Sequence, residues 1–328
     1  LRNLLTDVPG VKVGHAQNLA LGSGATAIIF DAPAVASIDV RGGGPGTRET
    51  ALLDPAQTVE GIDAITLSGG SAFGLDAASG VQAFLRENGR GFVIRTAQVP
   101  IVPAAVLFDL LNGGDKNWGR FPPYRDLGYA AAAAAAADFA LGSVGAGTGA
   151  TTVNCQGGIG SASAQTPDGF TVGALAAVNA VGSVIIGRGP WFWAAPFERD
   201  AEFGGRGWPA AFPKEAFDLL VKGGPGENTT LVVVATDATL TKAQAKRLAV
   251  MAQSGLSRAI YPVHTPLDGD VLFAASTGRR ELTDPLFGLT SLGAVAADVV
   301  ARAIARGVFA ATALPFPGAL PSWKDKFG

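Results

Sequence analysis

A single cysteine, Cys155, leaves no partner for a disulfide, so a cross-linked framework is excluded. Only two histidines, His15 and His264, are present. No His/carboxylate cluster makes up a full metal-ligand set, so a metal site is not expected. Charge is scarce as well: Asp, Glu, Lys and Arg account for 16% of 328 residues, with a formal net charge of −2. That balance offers no basic footprint for nucleic acid or an anionic membrane surface. No run of about eighteen uncharged apolar residues reads as a membrane span. The chain opens at Leu1 without an initiator Met, so a removed leader stays open, and the cytoplasm is the default location.

What is abundant is small and apolar. Hydrophobic residues make up 48% and there are 45 glycines, which argues for a large core, close-packed layers and many tight connections. A surface so poor in charge leaves area for another subunit to cover, hence an expected homo-oligomer. The length fits one large domain, 1–328, or two ordinary ones.

Strand-like runs appear at Val11–Val13, Thr26–Phe30, Val35–Val40 and Ile65–Leu67, the last ending in Ser68-Gly-Gly70. Ala72–Leu85 has helical spacing, Val106–Leu111 reads as a short helix, and Asn112–Arg125 as a surface loop. The alanine run Ala130–Ala137 reads as a thin, tightly packed helix. Phe170–Val178 and Gly182–Ile186 are strand-like, followed by a long irregular stretch from Gly187 to Gly224 with one short helix near Lys214–Val221. Thereafter strand and helix alternate: Thr230–Thr236, Thr241–Ser254 with Thr239 or Thr241 as cap, Val271–Ser276, Leu292–Ala305. The whole predicts a layered α/β sandwich.

The segment of greatest chemical interest is Gly223-Gly-Pro-Gly-Glu-Asn-Thr-Thr230, which runs straight into the apolar strand. If the Asn228–Thr229 bond is cut, Thr229 becomes a chain end bearing both a hydroxyl nucleophile and an α-amine. With an unperturbed pKa of about 7.7–8.0, that amine can act as base for the hydroxyl beside it. Asn, Gly and Thr are also ordinary turn residues, so the run alone does not decide. Asp268-Gly-Asp270 precedes a strand, and carboxylates at i and i+2 of extended chain point to one side, towards one site. The same tripeptide suits a plain turn. Asn179 lies between two strand-like runs, where its amide can donate to an oxyanion or simply cap a hairpin. The loop Ser68, Gly69, Gly70 can present backbone N–H groups to a substrate oxygen, although it lacks a P-loop lysine. Glu49, Asp109 and Asp115 are each able to receive a substrate ammonium.

Together these residues resemble the DmpA/NylC-like family of N-terminal-nucleophile hydrolases, which spans L-aminopeptidase/D-esterases, β-peptidyl aminopeptidases and 6-aminohexanoate-oligomer hydrolases. The resemblance is carried by Val8-Pro-Gly-Val-Lys-Val-Gly-His15, Gly44-Pro-Gly-Thr-Arg-Glu49, Leu67–Leu75, Val99–Val102, Gly145-Ala-Gly-Thr-Gly149, Asn228-Thr-Thr230 and Pro262–Asp270. It implies a four-layer α/β/β/α sandwich and self-cleavage into an α part, 1–228, and a β part, 229–328. It implies Thr229 as nucleophile, Asn179 on the oxyanion, Asp268 and Asp270 orienting the nucleophile, and a cofactor-free tetramer of αβ units acting on small peptides or amides. An acyltransferase of the ornithine-acetyltransferase type, or an uncleaved binding protein, are the alternatives on this scaffold. Two departures stand out: Asn154 where many relatives carry Lys, and Phe108 where they often carry Tyr.

Overall fold

The computed structural model describes residues 1–224 and 227–328; Pro225 and Gly226, within the glycine-rich run, lie outside it. Strands β1 (Val11–Asn18), β2 (Ser23–Val40), β3 (Gly46–Arg48) and β4 (Ile62–Ser68) lead to helix α1 (Ala77–Glu87). The hairpin β5 (Phe92–Ile94) and β6 (Ala97–Val99), then β7 (Ala104–Val106), precede α2 (Tyr124–Ala133). The second half holds β8 (Gly158–Gln165), β9 (Thr171–Asn179), β10 (Thr229–Ala238), α3 (Lys242–Ala252), α4 (Ser254–Ala259), β11 (Val271–Arg280) and α5 (Pro285–Ala310).

Strand β2 belongs to two sheets. Residues 25–29 pair with β4, with β1 on the other side, whereas residues 35–40 pair with β11. Between them Asp31, Ala32 and Pro33 are exposed and the register on β4 shifts. Proline has no N–H to give a ladder, so the strand turns from one sheet into the other there. The first sheet runs β3-β7-β4-β2 with β1 beyond, and the second β2-β11-β10-β9-β8.

The two sheets face each other across Ile28, Phe30, Ile65 and Leu67 on one side and Leu175, Leu231, Val233 and Phe273 on the other. Helices α1 and α2 cover the outer face of the first sheet through Val81, Leu85 and Ala131. Helices α3, α4 and α5 cover the second through Leu248, Leu256 and Val299. This is the expected α/β/β/α sandwich. It explains the unbroken apolar run of β10: Leu231 and Val233 enter the inter-sheet core while Val232 and Val234 meet the helices, so both faces are buried.

Helix α5 is long and apolar enough to cross a membrane, yet here it is the core helix of the second sheet. It starts earlier than its periodicity indicates, because Asp284 caps it by accepting from the N–H groups of Leu286 and Phe287, with Pro285 in the first turn. Its approach to β8 depends on Gly160, where a Cβ would stand 1.8 Å from the Ala303 carbonyl oxygen. Other expectations need correction. The alanine run is helical only to Ala133, because the backbone N–H and C=O of Ala136 both pair with Val13 on β1. The helix begins at Tyr124, inside the segment read as loop. Val106–Leu111 is no helix: β7 ends at Val106, and Leu107 donates its N–H to Ser68. Gly182–Ile186 makes only isolated bridges, Ser183 to Tyr261 and Ile185 to Phe192.

Candidate active site

Topology brings the candidate residues to one edge. Strands β10 and β11 are parallel, so both begin at the same edge of the sheet; β9, antiparallel to β10, ends there. Asn179 at the end of β9 therefore faces Thr229 at the start of β10 as a Cα pair, and Asn228 bridges Asp268 just ahead of β11. Asn228, Thr229, Asn179, Asp268 and Asp270 are all buried.

The carbonyl of Asn228 receives two donors. The Thr229 hydroxyl lies 2.5 Å from it and the backbone N–H of Gly269 at 2.7 Å. Residue 269 has no room for a side chain: a Cβ there would sit 2.6 Å from Thr229 Oγ1 and 2.7 Å from the Gly44 carbonyl oxygen. The Asn228 side chain is held back by donating from Nδ2 to the Lys222 carbonyl at 2.9 Å.

The two aspartates have separate tasks. Asp270 accepts from the Thr230 N–H at 2.8 Å through Oδ1, and from His264 Nδ1 at 2.9 Å through Oδ2. Asp268 accepts from Val181 N–H at 3.2 Å through Oδ1, and from the backbone and hydroxyl of Thr265 through Oδ2. Burial, and next the neighbouring Asp270 charge, push the Asp268 carboxyl upward from its ordinary value. Their common side, expected from the i, i+2 spacing, resolves into two neighbouring positions: Asp270 holds the start of β10, and Asp268 holds the turn that carries Gly269.

Asn179 is enclosed by four partners. Its Oδ1 accepts from the Thr151 N–H at 3.0 Å and from Lys222 Nζ at 2.9 Å. Its Nδ2 donates to the carbonyls of Phe108 at 3.1 Å and Glu227 at 3.2 Å. Sequence reasoning missed Lys222 and His264. The lysine is 43 residues from Asn179 and 71 from Thr151, with no local pattern to mark it. Asn154 donates from Nδ2 to Ser183 Oγ at 2.9 Å, and the cation beside Asn179 is Lys222.

The Ser68, Gly69, Gly70 loop is not a donor to this centre. Gly69 N–H is taken by the Gly24 carbonyl, Gly70 N–H by Asp109 Oδ1, and Ser68 Oγ faces Gly24. The loop instead builds the pocket of Asp109, a buried carboxyl also bonded by Ser23 at 2.6 Å. Cys155 is buried, and burial pushes its thiol up to about 11, so it is inert packing.

A cavity of roughly 320 Å³ opens beside the centre, bordered by Phe108, Asp109, Thr151, Lys222, Glu227 and Leu320. Of the three acids able to meet a substrate ammonium, Asp109 lines it, whereas Glu49 and Asp115 are exposed. Burial raises the Asp109 carboxyl to about 6 from 3.8. The folded state therefore disfavours its charge, and this contribution to stability is full below about pH 4 and lost as pH rises through 6. Asp109→Asn removes that titration. Relative to wild type, the variant is expected to gain about 2–3 kcal/mol between pH 4 and pH 7, whatever the absolute cost of its altered hydrogen bonds. Urea denaturation of both proteins at the two pH values checks this; parallel pH dependence would count against a buried, ionising Asp109.

Residues 3–319 match peptidase family S58. The chain belongs to that family. An uncharacterized aminopeptidase of Mycobacterium tuberculosis is 43% identical, over 99% of this chain and 98% of that one. A 6-aminohexanoate-oligomer endohydrolase of a Kocuria species is 31% identical, over 91% of this chain and 84% of that one. In fold the chain is similar to the L-aminopeptidase D-Ala-esterase/amidase of Ochrobactrum anthropi, a variant of the Ntn-hydrolase fold, with a TM-score of 0.70, 21% identity and coverage of 99% and 92%. As a member of peptidase family S58, the protein is a hydrolase of C–N bonds.

Proposed function

We propose that this protein is a self-processing N-terminal-threonine amidohydrolase acting on small peptides, amino-acid amides or amide oligomers. The observation that carries the reading is the Asn228 carbonyl, met at once by the Thr229 hydroxyl and the Gly269 N–H. In the first reaction Thr229 Oγ attacks the Asn228 carbonyl carbon. The oxygen that becomes negative already faces the Gly269 amide, a fixed donor of the oxyanion-hole kind. As the proton from Oγ passes to the Thr229 nitrogen, collapse expels that nitrogen as an amine and leaves an ester on Oγ. Water then releases the Asn228 carboxylate and frees the new N-terminus.

In the mature enzyme the α-amine accepts the proton from its own hydroxyl as Oγ attacks a substrate carbonyl, then returns it to the leaving amine. Water hydrolyses the acyl-enzyme. Asp270, through Thr230, fixes the start of the strand that bears the nucleophile, and Asp268 fixes the turn that bears the oxyanion donor. The acyl part of a substrate takes the path that Glu227 and Asn228 follow in the uncut chain, beside the 320 Å³ cavity. That volume is at the lower end for small-molecule sites and suits a short acyl group. Cleaved αβ units assemble as homotetramers in this reading.

Purified wild-type protein on a denaturing gel is the direct test. Two bands are expected, the smaller with an N-terminus reading Thr-Thr-Leu-Val. The same material is then assayed on L-amino-acid amides, β-peptides and 6-aminohexanoate oligomers, with and without an added amine acceptor. An unbroken chain that hydrolyses amides at full rate would overturn the proposal.

A further inference from the structure

Lys222 lies on the α side of the scissile bond, six positions before Asn228, and its ammonium has three acceptors. These are the Thr151 carbonyl at 2.6 Å, Thr151 Oγ1 at 2.9 Å and Asn179 Oδ1 at 2.9 Å. Three N–H bonds meet three oxygens, so the group is fully used. Its backbone is tied as well: the Lys222 N–H donates to Val181, whose own N–H bonds Asp268, and the Lys222 carbonyl accepts from Asn228 Nδ2.

We propose that Lys222 is the positioning cation of this site, a role resting on the hydrolase reading above. It fixes the Asn179 amide with Oδ1 inward, so that Nδ2 points at the acyl-side backbone. Rotating that amide by half a turn would set its NH2 group against both the ammonium and the Thr151 N–H, two donors with nothing to accept them. Held as it is, Nδ2 reaches the Glu227 carbonyl, one residue upstream of the bond to be cut. Lys222 does not act as a base for the nucleophile, because Thr229 Oγ1 donates to the Asn228 carbonyl and Nζ is spent on other oxygens. The cation also comes from the processing arm, not from position 154, so this chain couples its orienting charge to the segment it cuts.

Burial lowers the Lys222 ammonium to about 7, although the Asp268 and Glu227 carboxylates pull it upward; Asp109 lines the same cavity. The charged form is the one that locks Asn179. Self-cleavage of the uncut chain, which has no free Thr229 amine to titrate, should therefore slow as pH rises through about 7.

The test follows cleavage of freshly synthesised full-length protein on denaturing gels from pH 5.5 to 9. Wild type should show the falling limb. Lys222→Met should cleave roughly 10–100-fold more slowly at pH 6, the range set by losing a charged hydrogen bond, with that limb gone. Lys222→Arg keeps a charge throughout and should retain more rate than the Met variant while holding it to pH 9. Lys222→Met cleaving at the wild-type rate would overturn the assignment. So would a wild-type rate that climbs through pH 7 and a dead Arg variant, the pattern of a lysine base. If wild type itself never cleaves, the underlying hydrolase reading fails instead, and the two failures are distinguishable.

Discussion

Thr229→Ala is expected to accumulate as one uncut chain of 33.1 kDa, with amide hydrolysis lowered roughly 10⁴-fold or more. The reason is that one side chain is asked to perform both reactions. Without Oγ there is nothing to attack the Asn228 carbonyl, and without that attack no α-amine appears to serve the mature site. Failure of folding is not the cause of the expected loss. The Thr229 hydroxyl bonds the preceding carbonyl, which keeps the Gly269 N–H, so alanine leaves no buried group orphaned. A thermal midpoint within a few degrees of wild type is the required control. Thr229→Ser restores the hydroxyl and should restore cleavage, more slowly because the side chain loses the methyl that limits its rotamers. A cleaved or active Thr229→Ala protein would remove the foundation of the mechanism.

How far this was legible in the sequence depends on the range over which each interaction acts. The start of β10 could be read because Leu231–Val234 is apolar at every position, which follows from burial on both faces. The cap of α3 was readable within one turn, where the Thr241 side chain accepts from Gln244 N–H. The alanine run misled because its end is set by an edge strand more than a hundred residues away, through Val13 and Ala136. Propensity knows nothing of that partner. The candidate site divides the same way. Asn179, Thr229 and the Asp268/Asp270 pair lie in local patterns that suit plain turns equally well, and the family resemblance singled them out, whereas Lys222 reaches Asn179 only because the arm folds back on Val181. The Ser68–Gly70 loop had the look of an anion cradle, but of its donors only the Gly70 N–H meets a carboxyl, that of Asp109, while the Gly69 N–H and Ser68 Oγ are taken by Gly24.

Gly269→Ala is expected to fold yet cut itself at least about 10²-fold more slowly, the scale on which small misplacements of reacting groups act. The residue does not occupy the left-handed region, so alanine is tolerated by the backbone and only space opposes it. That space is taken by Thr229 Oγ1 at 2.6 Å and the Gly44 carbonyl oxygen at 2.7 Å from the added carbon. Gly44 is pinned through its N–H to the Asp268 carbonyl, and Asp268 is pinned by Thr265 and Val181, so the turn cannot easily back away. The hydroxyl must yield and the Gly44 carbonyl must give by a few tenths of an ångström, and with the hydroxyl goes the approach to the Asn228 carbonyl. The same amide that offers the 2.7 Å hydrogen bond stays in the chain, so the variant tests the placement of the nucleophile against a retained oxyanion donor. A time course of precursor disappearance, with Asp109→Asn as a variant altered elsewhere in the cavity, reads the effect. If Gly269→Ala matures as fast as wild type, the hydroxyl and the amide do not meet at this carbonyl during the reaction.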